Sequence, residues 1–320
     1  MKAKTVWLAS LLVFAGCPAV PADATDTGSI RDAGTSRADS GSITDPQDAG
    51  TVVPSGDAGL VPRDAGAPAA TGSDGGLFTH PQPWTRDVSG STKAARSDAI
   101  IQALTDLGGW GAGALKIDFS IPIFYVSSST PRRTITANTA SGAYCYGGLD
   151  CDPVPLQMPV PLNANIEGST DFTCDTSYNN PDQGDCHLLV VEQSEKKLYE
   201  LYNSTQQGSV TGLVALGAFV WDLNATYPDS ERGDGCTSAD AAGFPIAGLL
   251  ATADEVASGA VTHALRFILP NPRIKKGVFV HPASHAGGPS STNENAPPYG
   301  VRFRLKSTFS EAGYSAGDPR

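Results

Sequence analysis

The strongest pattern along the chain is Leu188-Leu189-Val190-Val191, a continuous apolar run between His187 and Glu192. A polar connection, Ser194-Glu195-Lys196-Lys197, leads from it into Leu198-Tyr199-Glu200-Leu201-Tyr202. An apolar run of strand length without alternation is covered on both faces, which predicts a central strand. Two β-rich runs joined by a short polar turn predict a hairpin. Gly212 to Leu223 is a further apolar stretch and predicts another buried strand.

Upstream, Ser97 to Leu107 spaces its apolar residues helically, opens on a serine suited to capping and stops at Gly108-Gly109, which predicts a short amphipathic helix packed on the sheet. Trp84 is the first large apolar anchor of an extended lead-in. Leu115 to Ser127 predicts a strand with Ile117, Phe119 and Ile121 on one face and an edge or bend at Pro122. Ser128 to Asp182 is rich in turn residues. Thr237-Ser238-Ala239-Asp240 has a helix-capping pattern, and Ala253 to Gly259 predicts another helical turn. His263 to Leu269, Gly277 to Val280 and Tyr299 to Lys306 alternate as strands do, with Arg302 and Arg304 sharing a face. Together these elements predict a mostly β domain, an antiparallel sandwich or barrel-like fold with a few short helices.

Composition divides the chain of 320 residues into three parts, 1–17, 18–77 and 78–320. Pro18 to Gly76 has no aromatic residue, repeats Asp-Ala-Gly at Asp32, Asp48, Asp57 and Asp64, and carries nine Asp against three Arg. Such a segment cannot bury enough surface to offset chain entropy and predicts a disordered tether. It supplies about half of the net charge of −11, so the acidity describes the tether more than a binding surface. Without a basic stripe interleaved with aromatics, nucleic-acid binding is not expected.

Lys2 and Lys4 precede the apolar run Val6 to Phe14, and Ala15-Gly16-Cys17 closes it. The run is too short to span a bilayer. This arrangement resembles a bacterial lipoprotein signal, which implies that Cys17 is acylated and becomes a membrane anchor; the Asp-Ala-Gly tether resembles those of myxobacterial lipoproteins, and Pro18 implies export to the outer membrane of a Gram-negative bacterium. In an oxidising compartment the near neighbours Cys145 with Cys151 and Cys174 with Cys186 form disulfides, which leaves Cys236 free and buried.

The order of Asp185-x-His187 before Leu188-Leu189-Val190-Val191-Glu192, then Leu198 to Tyr202, Thr237 to Gly243, Thr262 to Phe267, Pro282 to Ala286 and Pro297 to Lys306, resembles a family of secreted proteins of actinobacteria, myxobacteria and some eukaryotes. The resemblance covers roughly residues 80 to 313 and implies one fold across them, without a settled activity. Members continue past the Phe-Ser-x-x-Gly-Tyr turn, which implies that part of the domain is absent here.

Nucleophile elbow, zincin, phosphate-loop and dinucleotide motifs are all missing, so no cofactor is expected. The candidate chemistry is a scattered set: Asp185 and His187, two apart and therefore on one face at the start of a strand, with His263, His285 and Glu167. A carboxylate beside an imidazole sets its tautomer or its basicity, which suits general acid/base work, and three histidines at separate strand ends could instead hold zinc. Packing is the competing reading, favoured for His263, which shares a face with Leu265 and Phe267; His80 and His281 are expected in solvent. Asp171 to Asp185 has a calcium-friendly composition but not an EF-hand spacing, and reads better as a solvated loop. The expected catalytic set is Asp185, His187, His263 and His285, acting on a polysaccharide by hydrolysis or elimination; the alternative is a non-catalytic glycan-binding or structural lipoprotein.

Overall fold

The computed structural model describes residues 76–109, 121–140, 142–148, 150–174, 184–206, 212–306 and 308–309. Cys17, the segment to residue 75, the first part of the predicted 115–127 strand and most of the Asp171 to Asp185 loop lie outside the described residues.

The mostly β expectation holds. Six strands, β1 (Ile123–Val126), β2 (Arg132–Ala137), β3 (Leu156–Pro159), β4 (His187–Glu192), β5 (Lys197–Gln206) and β6 (Gly212–Asp222), form one mixed sheet in the order β1-β4-β5-β6-β2-β3. The predicted hairpin is its centre. β4 pairs antiparallel with β5, and β5 with β6, while β1 adds to β4 and β2 adds to β6 in parallel. The short β3 closes antiparallel on β2. Every residue of β4 is buried, as a continuous apolar run requires.

Side chains alternate between two cores. Leu188 and Val190 of β4 meet Tyr199, Leu201, Leu213 and Ala215 on one face, under Ile166, Phe172 and the Cys174–Cys186 disulfide. Leu189 and Val191 meet Leu198, Phe219 and Trp221 on the other face, beneath Phe78, Trp84, Ile246 and Leu249. There the rings of Phe78, Trp84, Trp221 and Tyr227 pack mostly edge to face, so Trp84 does anchor the lead-in.

Several local expectations change. β2 and β3 lie in the stretch read only as turns: β2 alternates buried Arg133 and Ile135 with exposed Arg132 and Thr134, and β3 is four residues long. Helix α1 (Ser97–Asp106) forms, but Arg96 is its N-cap, and its buried Leu104 packs on Leu269 and Ile274 instead of on the sheet. It stops where Gly108 and Gly109 take positive φ, a geometry costly for side-chain-bearing residues. Helix α2 (Ala253–Ser258) matches its prediction, with a Thr252/Glu255 capping box and Gly259 as an αL cap. Thr237 to Gly243 is a turn, not a helix, because Ser238 Oγ and Asp240 Oδ1 take up the local backbone amides of Asp240 and Ala242.

The three strands expected from His263 to Lys306 are extended segments tied by isolated bridges at Lys275–Ser291 and Phe279–Tyr299. Their backbone groups are met by side chains and turns from elsewhere. Arg302 donates to the Pro83 carbonyl and Arg304 to those of Val88, Ser89 and Ser91, clipping the end of the chain onto the lead-in. No helix among the described residues is long and apolar enough to cross a membrane.

Candidate functional site

Two of the cysteine expectations hold and one does not. Cys145–Cys151 and Cys174–Cys186 are disulfides, whereas Cys236, fully buried, is also disulfide-bonded and not a free thiol. Its partner is not among the described residues. These bonds place the domain in an oxidising compartment.

His187 begins β4 and lies directly opposite Tyr202 of β5, with their rings 5.5 Å apart. The acid that orients it is Glu167, not Asp185. The Glu167 amide bonds the His187 carbonyl at 2.9 Å, which brings the Glu167 carboxylate to Nδ1 at 2.6 Å. Nε2 meets the Ala239 carbonyl at 3.2 Å. Both ring nitrogens therefore face acceptors, and only the doubly protonated imidazolium donates to both. Burial alone would depress this imidazole, but the hydrogen bond and charge of Glu167, helped by Asp185, hold it above its ordinary value.

The other two histidines have their own partners. His263 Nε2 lies 3.0 Å from Glu255 of the α2 capping box, and its Nδ1 2.8 Å from the Ala264 carbonyl. His285 Nδ1 donates to the Ala241 carbonyl at 2.8 Å, which the Gly287 amide also reaches at 3.4 Å. The three histidines do not gather their ring nitrogens within 4.8 Å of one another, so they do not make a zinc set. His187 and His285 instead brace one turn, at carbonyls two residues apart, and Arg266 holds the same turn through Asp240 at 2.6 Å.

Asp185 stands just outside β4 and is exposed. Its charge acts on His187, Tyr146 and Tyr202, so these four groups share one end of the sheet. Sequence reasoning missed both tyrosines. Tyr202 is buried enough to be pushed well above its ordinary value, and its hydroxyl shares a hydrogen bond with that of Tyr146. Tyr146 is 60% exposed and sits at φ +53 next to Cys145 at φ +55.

That unusual backbone is fixed from three sides. The Cys145–Cys151 bond closes the turn, Asp152 bonds the Ala218 carbonyl and Val220 amide of β6, and the turn rests over Gly217. A Cβ at Gly217 would lie 3.0 Å from the Phe219 ring, which would have to shift by a few tenths of an ångström, and in ordinary contact with Cys151 Sγ at 3.4 Å. Non-glycine residues in this region cost on the order of 1–3 kcal/mol and persist where the surroundings over-determine them.

Behind this edge, on the same sheet face, lies Glu200. It is fully buried, accepts from Trp221 Nε1 at 3.2 Å and the Ala247 amide at 2.9 Å, and is pushed up to about 7 by burial against the lowering effect of those bonds and of His187. The signal for it was a lone Glu inside an otherwise apolar strand.

The arrangement offers an exposed aromatic ring with a hydroxyl pair and a solvent-facing carboxylate. Its imidazole is occupied by structural partners. No protein-family model matches the chain, and comparison with curated proteins and with solved structures gives no match either.

Proposed function

We propose that this is an extracytoplasmic, surface-tethered domain that binds saccharide without turning it over, through Tyr146 with Asp185 beside it. The observation that carries the reading is Tyr146, an exposed ring held in a left-handed conformation by a disulfide, with its hydroxyl bonded to Tyr202. A rigid ring costs little entropy to present and stacks on the apolar face of a sugar, while an adjacent carboxylate accepts from sugar hydroxyls. Binding is favoured over hydrolysis or elimination because His187 aims both nitrogens at protein acceptors and His263 is 5% exposed beside Glu255.

Titration of the chain against a panel of bacterial and plant polysaccharides tests this. The expected result is binding that Tyr146→Ala weakens by about tenfold or more, equivalent to about 1.4 kcal/mol, with no release of reducing ends or unsaturated sugars. Binding unaffected by Tyr146→Ala would sink the proposed contact, and sugar release lost in His187→Ala would restore the catalytic reading.

Membrane attachment through Cys17 is part of the proposal, and the cysteines provide its test. An S-acylated cysteine has no thiol left for a disulfide, and Cys17 is the one cysteine of six outside the two described bonds and Cys236. Non-reducing peptide mapping that joins Cys17 to Cys236 would exclude the anchor. Cys17 recovered as a lipidated N-terminus, with Cys236 in an intermolecular bond, would support it.

A further inference from the structure

Two Asn-x-Ser/Thr triplets occur in the chain, Asn203-Ser204-Thr205 within β5 and Asn224-Ala225-Thr226 just after β6. In an exported protein such a triplet accepts an N-linked oligosaccharide where its Asn lies in a surface loop. Asn203 is closed to that chemistry in the folded domain. It is 3% exposed, its Nδ2 donates to the Gly184 carbonyl at 3.0 Å, and its Oδ1 accepts from Asn138 Nδ2 at 2.9 Å.

Asn224 is placed differently. β6 ends at Asp222, whose carboxylate accepts from the Asn224 amide at 2.9 Å and whose carbonyl accepts from that of Ala225 at 3.1 Å, so the chain turns at once. Buried Leu223 pins one end of the short loop, and Tyr227, whose hydroxyl accepts from the Asp222 amide at 2.9 Å, pins the other. Between these anchors Asn224 and Thr226 are exposed. Thr79 Oγ1 donates to Asn224 Oδ1 at 3.2 Å, whereas Nδ2, the atom that would carry a sugar, makes no hydrogen bond among the described residues. Asp222 also stands two residues before Asn224, where bacterial N-oligosaccharyltransferases require an acid, while Asn203 has Leu201 at that place.

We propose that Asn224 is an N-glycosylation site, modified on the folded domain by a transferase that draws on an oligosaccharide carried by a lipid diphosphate. Asn224 Nδ2 displaces the diphosphate from the anomeric carbon: the N–C bond forms, the C–O bond to diphosphate breaks with its electron pair, and one amide proton passes to a carboxylate of the transferase. The inference is independent of saccharide binding, because a bonded glycan survives denaturation and a bound one does not.

Glycopeptide mass spectrometry tests it, on the folded full chain recovered from the periplasm of a Gram-negative host that carries a bacterial oligosaccharyltransferase and its lipid-linked donor. The expected result is a glycan on the peptide that holds Asn224 and none on the peptide that holds Asn203. Asn224→Gln and Thr226→Val each lose the modification, and Thr226→Ser keeps it. Both positions are exposed, so the variants are expected to melt as the parent does, and the parent's own glycopeptide decides the matter even where a variant does not fold. An unmodified Asn224 in the folded parent, or a glycan that persists in Asn224→Gln, overturns the proposal.

Discussion

The sheet and the region after Cys236 are stabilised in different ways. In the sheet, β4, β5 and β6 bury most of their residues on both faces and satisfy their backbone with neighbouring strands. After Cys236 the chain has one short helix, α2, and two brief 3-10 turns among the described residues. Beside the apolar contacts of Ile246, Leu249, Leu269 and Ile274, its order comes from polar braces: His187 and His285 on the carbonyls of Ala239 and Ala241, Arg266 on Asp240, Ser284 on Cys236, and Arg302 and Arg304 on the lead-in. Apolar burial is non-directional and tolerates small shifts, whereas a brace fails when one partner is lost. A region built from braces therefore owes more of its stability to single residues.

The largest expected effect lies in the sheet. Trp221→Ala should destabilise the domain by about 5 kcal/mol, because it opens a cavity and also removes the Nε1 donor from buried Glu200. The urea midpoint checks it, and a loss below about 2 kcal/mol would mean that this core is looser than its packing suggests.

Arg266→Ala should follow at about 3 kcal/mol, since it leaves Asp240 buried without its partner, both side chains being under 15% exposed. If it costs less than about 1 kcal/mol, the brace picture of the region fails.

Next is a pH effect. Glu200 rises from its ordinary value to about 7 on folding, so the folded state holds a proton that the unfolded chain releases from about 4.5 upward. Its contribution is complete below that value and lost as pH climbs through 7, about 3 kcal/mol in all. The raised His187 acts in the same direction, holding its stabilisation below about 6.5 and losing it above its folded value. Denaturant midpoints from pH 5 to 8 should fall with pH, and Glu200→Gln should flatten the slope. A parent midpoint that rises across this window reverses the sign and rules out these assignments.

The smallest effect separates a true brace from an ornament. Arg86–Asp229 at 2.7 Å is nearly as close as the buried Arg266–Asp240 pair at 2.6 Å, yet its side chains are 58% and 53% exposed. Arg86→Ala should change stability by less than about 1 kcal/mol, and a larger loss would extend the brace mechanism to the surface.

The same contrast governs what the sequence reveals. The hairpin and β6 were legible because Leu188 to Val191 and Leu213 to Ala218 encode burial on two faces, a property of each segment alone. α1 and α2 were legible from spacing and terminal glycines. β2 stayed hidden because its arginines and threonines mask Ile135, and its partners are far away in the chain. The stretch from His263 to Lys306 has strand-like alternation, but no neighbouring strand was available to pair with it, which a local pattern cannot report.

At the site, Asp185, His187 and Glu167 were each named from sequence, but the pairing of Glu167 with His187 spans 20 residues and follows from a backbone bond between two segments. Tyr146 carried no signal at all. It sits in a glycine-bordered turn, and its conformation comes from the disulfide and from Asp152 bonding to β6, a strand far away in the chain.

The strand order has a consequence for the chain as it is made. β1 needs β4, and β2 needs β6, so residues 123–159 emerge before either of their parallel partners exists. β2 and β3 can pair with each other in the interval, while β1 has no partner until residue 192 has appeared. Whether the chain leaves a ribosome or a translocation pore, its first strand waits with an unprotected edge, and a binding chaperone that shields Ile123 to Val126 would shorten the time in which two copies could pair there instead.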